Sequence, residues 1–208
     1  MKKFLISAAM GATAVVAASA AVAVPVNGVT GTVNVNGTVT AKCTVQPGGG
    51  STFSGNIGLG PLDDSNGSGK ISSTLASSTA GSPAGTASFS VICNSGAPSV
   101  SLSATSMQSN VVSPPSGYTN TVDYTAELDV GLAAGGTSNF TYPTPSGPQG
   151  GGTALSGPMS NATDNVVVKV YHLNTDGGSD SSVLTVGTFG SPGGATGSGV
   201  ITINITPT

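Results

Sequence analysis

From Val29 to Val45 the chain alternates with a period of two. Val29, Gly31, Val33, Val35, Gly37, Val39, Ala41, Cys43 and Val45 hold the odd positions, and Thr30, Thr32, Asn34, Asn36, Thr38, Thr40, Lys42 and Thr44 the even ones. This pattern predicts a β-strand with one apolar and one polar face. The run is longer than the usual strand. At roughly 3.3 Å per residue it would reach about 55 Å, further than one small sandwich requires. Such a strand is either a paired edge of its own fold or a strand offered to another molecule.

Beyond it, short β-like runs are separated by Gly, Pro and Ser clusters, with no helical periodicity. The pattern predicts strands over 29–36, 38–46, 56–60, 70–76, 85–93, 98–104, 122–131, 137–141, 165–173, 182–188 and 198–206. Three runs read as core: Ala87, Phe89 and Val91; Val166, Val168 and Val170; and Ile201, Ile203 and Ile205. Val167 and Tyr171 extend the second of these toward burial on both faces. The stretch from Pro143 to Pro158 holds three further glycines in a row, Gly150-Gly151-Gly152, and reads as one long surface loop. The expected fold is all-β, a sandwich or barrel.

The first residues carry the features of a secretory signal. Lys2 and Lys3 precede an apolar stretch, Phe4 to Ala18, and Ala21-Val22-Ala23 offers a small-residue cleavage site. Cleavage is expected after Ala23, with Ala20 as the alternative. The domain expectation is thus a signal peptide over 1–23, an N-terminal strand over 24–36 and a β-sandwich domain over 37–208. Beyond the signal, three lysines (Lys42, Lys70 and Lys169) face eight acids with no arginine, a net charge of about −5. Nucleic-acid binding requires clustered Lys and Arg, so it is not expected. Cys43 and Cys93 are the only cysteines, and in an exported chain such a pair is expected to form one disulfide.

Candidate chemistry is sparse. The chain has no Gly-x-Ser-x-Gly elbow. Its single histidine, His172, reads as a strand-end side chain. Glu127 and Asp129 share one strand face, as a glycosidase pair could, but read more simply as two exposed acids. Asp176 to Asp180 has oxygen ligands but lacks the spacing of a calcium loop, and turn chemistry explains it. Two distant cysteines and one histidine do not make a metal site. No enzyme activity, cofactor or metal is expected.

The N-terminal strand remains the strongest signal. If donated, it would insert Val29, Val33 and Val35 as knobs, with Gly31 where the acceptor admits no side chain and Gly37 as a hinge. Further motifs accompany it. Thr40, Cys43, Thr44 and Val45 form a Thr-x-x-Cys-Thr-Val setting, followed by Ile57-Gly58-Leu59-Gly60 and by a second Cys in the run Ser88 to Cys93. The strands Val100 to Ala104, Val122 to Leu128, Val166 to Leu173 and Val200 to Thr206 complete the set. Together these resemble the spore coat protein U domain family, which includes pilin subunits of archaic chaperone–usher fimbriae. The chain differs from the family in having Gly197-Ser198-Gly199 where Tyr-x-Asp usually precedes the last strand.

The resemblance implies an incomplete immunoglobulin-like sandwich, completed by donor-strand exchange. It implies a periplasmic chaperone, an outer-membrane usher and other copies or related pilin subunits as partners. The chain would be exported through the periplasm to a surface fimbria serving adhesion and biofilm formation. The alternative expectation is a self-contained secreted β-sandwich that binds a glycan or another surface. Tyr118, Tyr124, Tyr142 and Tyr171 do not cluster in sequence into an aromatic platform for it.

Overall fold

In a computed structural model of the chain, residues 32, 34–145, 152–175, 182–191 and 193–208 are described. Eleven strands and one helical turn follow in the order β1 (Cys43–Gln46), α1 (Ser73–Ala76), β2 (Gly85–Cys93), β3 (Ser99–Ala104), β4 (Met107–Gln108), β5 (Tyr118–Thr119), β6 (Thr121–Gly131), β7 (Thr137–Pro143), β8 (Thr153–Ala154), β9 (Val166–Asn174), β10 (Val183–Leu184) and β11 (Ile201–Thr206). The fold is an all-β, sandwich-like arrangement of antiparallel sheets, with a short parallel β10–β5 pair beside them.

The larger sheet runs β1-β2-β9-β6, with β4 and β7 on the far edge of β6. Its register aligns the predicted core runs. Ala87 lies opposite Val168, Val168 opposite Leu128, and Leu128 opposite Phe140. One face is therefore a continuous apolar row, because cross-strand neighbours share a face. The smaller sheet, β11-β3-β8, sets Ile201, Ile203 and Ile205 beside Ala104, Leu102 and Val100. Its β3 lies against β6 and β7. Val100, Leu102, Val122, Leu128, Val130 and Val166 are almost wholly excluded from solvent there. Burying such side chains contributes roughly 1.5–3 kcal/mol each.

Cys43 and Cys93 face each other across β1 and β2 and form the expected disulfide. Where the β2–β9 ladder ends at Phe89 and Val166, the side chain of buried Asn165 continues it. Its Oδ1 accepts from the Val91 N–H at 2.8 Å, and its Nδ2 donates to the Val91 carbonyl at 2.7 Å.

Several predicted strands differ. The run 70–76 folds back instead: Ser73–Ala76 makes one helical turn that buries Leu75, and only Ile71 keeps a strand bridge, to Asp63. The run 56–60 has no ladder partner among the described residues. Strand 38–46 pairs only over Cys43–Gln46, and 182–188 only over Val183–Leu184. The stretch from Pro143 to Pro158 is not one loop. Pro143 ends β7, and Thr153–Ala154 forms β8 against Val100 and Ser99, while residues 146–151 lie outside the described residues. The sequence pattern also missed the two-residue strands β4 and β5, which are too short to show a period.

Val39–Thr208 forms one compact unit. Of the proposed donor strand, Val29, Gly31 and Val33 lie outside the described residues, as does the expected signal peptide. Residues 32 and 34–38 are exposed and form no strand, and Val35 is 91% exposed.

Candidate functional site

The apolar face of the larger sheet is wider than the smaller sheet that packs on it. Strands β6 and β7 are covered by β3, but the inner faces of β2 and β9 border a cavity of about 1200 Å³. Ala87, Phe89, Val168 and Val170 form its floor together with Tyr124 of β6. On one side stand Ile201 and Ile203 of β11, both only half-buried.

β11 is the last strand of its sheet. It pairs with β3 along all six residues, and its other edge has no strand partner among the described residues. Its alternation puts isoleucines toward the cavity side and Thr202, Asn204 and Thr206 toward solvent. The site is thus an apolar groove flanked by an unpaired strand edge. Such an edge is a template for another extended segment.

The run from Phe53 to Leu62 lines the cavity as well. Phe53 packs on Phe89 with ring centroids 4.5 Å apart, and Ile57 and Leu59 are half-buried against the core. The run approaches β2 closely because of two glycines. A Cβ at Gly55 would lie 2.8 Å from the Phe89 ring, and one at Gly85 would collide with Ile57. The period-two reading of 56–60 therefore identified the side chains that face inward but not the absence of a ladder.

Tyr124 is the one polar side chain on the floor. It is 2% exposed, and its hydroxyl has no hydrogen-bond partner among the described residues. A buried hydroxyl without a partner costs about 1–3 kcal/mol. Burial alone pushes the phenol well above its ordinary range, so it keeps its proton. Its backbone is fixed: the Tyr124 N–H donates to Thr144 Oγ1 at 2.9 Å, and the Thr144 N–H to the Tyr124 carbonyl at 2.8 Å. Tyr124 also lies at an irregularity in the β6–β9 register, where Asp123 meets Asn174 but Thr125 meets Tyr171. The extra residue on β9 falls at His172–Leu173, and His172 takes φ 52°. A bulge of this kind re-aims neighbouring side chains.

On the other face of the sheet, Glu127 and Asp129 are not the exposed pair that the sequence suggested. Glu127 is buried and Asp129 half-buried, because Lys169 of β9 lies across from them. Its Nζ sits 3.0 Å from Glu127 Oε1 and 2.5 Å from Asp129 Oδ2. Tyr171 donates to Glu127 Oε2 at 3.1 Å, and Asn139 donates to Asp129. Hydrogen bonding to Asp129, then to Glu127, holds the Lys169 ammonium above the ordinary lysine range. Both carboxylates are occupied by structural partners, an arrangement that favours a sheet-crossing ion pair over acid–base chemistry. His172 is exposed, and its backbone N–H donates to Ser78 Oγ at 2.9 Å. Among the described residues no group of His, Cys, Asp and Glu is placed to hold a metal, and Asp176 to Asp180 lies outside them.

No protein-family model, curated protein or solved structure matches the chain.

Proposed function

We propose that this chain is a structural subunit of a surface fibre, assembled by donor-strand exchange along a chaperone–usher route and serving attachment and biofilm formation. The observation that carries the reading is the edge of β11, unpaired among the described residues, beside an apolar groove where Ala87, Phe89, Ile201 and Ile203 are only half-buried. An incoming strand must be apolar toward the floor and polar toward solvent, as β11 is. The run from Val29 to Asn36 has that pattern, with Val29, Gly31, Val33 and Val35 on one face and Thr30, Thr32, Asn34 and Asn36 on the other. Thr and Asn side chains would then stand beside Thr202, Asn204 and Thr206 on the outer surface, a favourable cross-strand pairing. The occupant is the N-terminal segment of another copy or of a related subunit. A periplasmic chaperone would hold the groove before assembly, and an outer-membrane usher would export the subunit. On this reading the sandwich is immunoglobulin-like and incomplete, and it uses neither cofactor nor turnover.

Negative-stain electron microscopy of the exported protein, beside a version lacking residues 24–36, tests this. Thin fibres from the full chain and none from the truncation are expected. Val33→Asp should also abolish fibres while leaving monomer stability unchanged, because the charge would be buried only at the subunit junction. Monodisperse particles from the full chain would overturn the reading.

One observation favours the alternative, a self-contained secreted binding module: Phe53 to Leu62 already covers part of the larger sheet. Against a glycan platform, Tyr118 is the only exposed Phe or Tyr among the described residues.

A further inference from the structure

We infer that residues 53–59 are an internal stand-in for the donor strand: they hold its seats on β2 before assembly and yield them to residues 29–35 of the incoming subunit. The inference rests on the fibre reading and adds a competitor and a register to it. The two runs share one spacing. Phe53, Gly55, Ile57 and Leu59 repeat the order of Val29, Gly31, Val33 and Val35: an apolar side chain, a glycine and two more apolar side chains at alternate positions. The positions between them are small or polar in both runs, Ser54, Asn56 and Gly58 in one and Thr30, Thr32 and Asn34 in the other.

β2 shows what that spacing fits. Phe53, Ile57 and Leu59 are half-buried, while Ser54, Asn56 and Gly58 are exposed. Gly55 lies against the Phe89 ring, where a Cβ would stand 2.8 Å from it, and Ile57 and Leu59 pack where Gly85 has no side chain. The space over Phe89 and Gly85 takes one run at a time, so the stand-in and an incoming strand with the same knobs exclude each other. The stand-in is also weakly held. Its flanks are tied, since the Gly50 carbonyl accepts from the Val45 N–H at 2.8 Å and the Leu62 carbonyl from the Ser72 N–H at 2.8 Å. Between them, the main chain of residues 51–61 makes no hydrogen bond to another described residue. A segment held by half-buried side chains alone opens at low cost. An incoming strand can add main-chain bonds along the edge of β11 that is unpaired among the described residues, which gives the exchange its direction. The cover over part of the larger sheet is on this account a removable one, and Gly31 takes the place of Gly55 over Phe89.

The test titrates a synthetic peptide of residues 24–37 into monomeric full-length protein, wild type and the double variant Ile57→Ser with Leu59→Ser. It also follows chymotrypsin cleavage after Phe53 in the wild type, with and without peptide. The double variant weakens the competitor, so it should bind the peptide about tenfold more tightly. Peptide should speed cleavage after Phe53 about tenfold, because the displaced run is exposed. This second measurement needs no substitution and stands whether or not the double variant folds well. A peptide with Gly31→Val should bind wild-type protein at least tenfold more weakly, because its side chain would meet the Phe89 ring. Binding by the double variant that is no tighter than wild type, or protection of Phe53 from cleavage by the peptide, would overturn this inference and leave the fibre reading standing, since the run would then be a fixed wall of the groove. Equal binding of the natural and Gly31→Val peptides would overturn it too. A peptide bound by neither protein would overturn both.

Discussion

Leu102 and Leu128 are fully buried where β3 crosses the larger sheet, whereas Phe89, Ile201 and Ile203, on the same two inner faces, are only half-buried around the groove. The local sequence does not distinguish these halves. Val-Ser-Leu-Ser-Ala in β3 and Ile-Thr-Ile-Asn-Ile in β11 alternate equally well. What differs is the neighbour. Among the described residues β3 has a strand on each side, β11 and β8, while β11 has a strand on one side only. Period-two patterning therefore fixes which side chains point inward, and the supply of strands fixes how many become core. The closed half holds the domain together, and the open half leaves apolar side chains half-exposed.

If this division is right, substitutions should separate by half. The largest effect is expected at the covalent link between β1 and β2. Replacing both cysteines, Cys43→Ser with Cys93→Ser, removes a link between residues 50 apart in sequence. It should lower stability by about 4 kcal/mol in the chain-entropy account, measured by urea unfolding. A loss under about 1 kcal/mol would mean that β1 is held by its ladder alone. Next comes the closed half. Leu128→Ala leaves a hole between Val168 and Phe140 and should cost about 3 kcal/mol.

The sequence made much of this comparison legible, and the reasons can be traced to particular residues. The 85–93 run was recovered in full, and 122–131 and 165–173 to within a residue, because their alternation persists long enough to fix a period and a face. The cysteine pair followed from composition alone. The 70–76 run failed because Ile71 and Leu75 lie four apart, a spacing that suits a helical turn as well as a strand. The exposure assigned to Glu127 and Asp129 failed because their partner, Lys169, is 42 residues from Glu127 and only sheet register brings it across. No local signal in the sequence marked the groove between β2, β9 and β11. Its walls depend on Phe53 to Leu62, which shows the spacing of a strand without being one, and no local signal marked Tyr124 as the residue without a partner.

The polar face gives a prediction of intermediate size. Lys169→Met leaves buried Glu127 beside Asp129 without a cation and should cost about 2 kcal/mol at neutral pH. The sign of its pH dependence follows from the raised pKa of Lys169. Its contribution is complete below the ordinary lysine value of 10.5 and is lost only as pH climbs through the higher value of the folded state. The stability difference between wild type and Lys169→Met should therefore be flat from neutral pH to about 10 and shrink above that. A difference that shrinks below pH 9 would show that the ion pair is not what holds the two strands' outer face.

The smallest effect on the isolated domain is expected in the open half, and it discriminates most sharply. Ile203→Ala removes three carbons from a half-exposed wall of the groove, so monomer stability should fall by only about 1 kcal/mol. The same side chain becomes fully enclosed if a strand is laid beside β11, because the incoming valines would cover it. Its truncation should then weaken a fibre far more than a monomer, read as a lower denaturant midpoint for fibre dissociation. Leu128→Ala should instead lower monomer and fibre midpoints together, since its surroundings do not change on assembly. A monomer that loses as much stability from Ile203→Ala as from Leu128→Ala would mean that the groove is already closed within one chain. The contrast between the two halves would then disappear, and the self-contained module would become the better account.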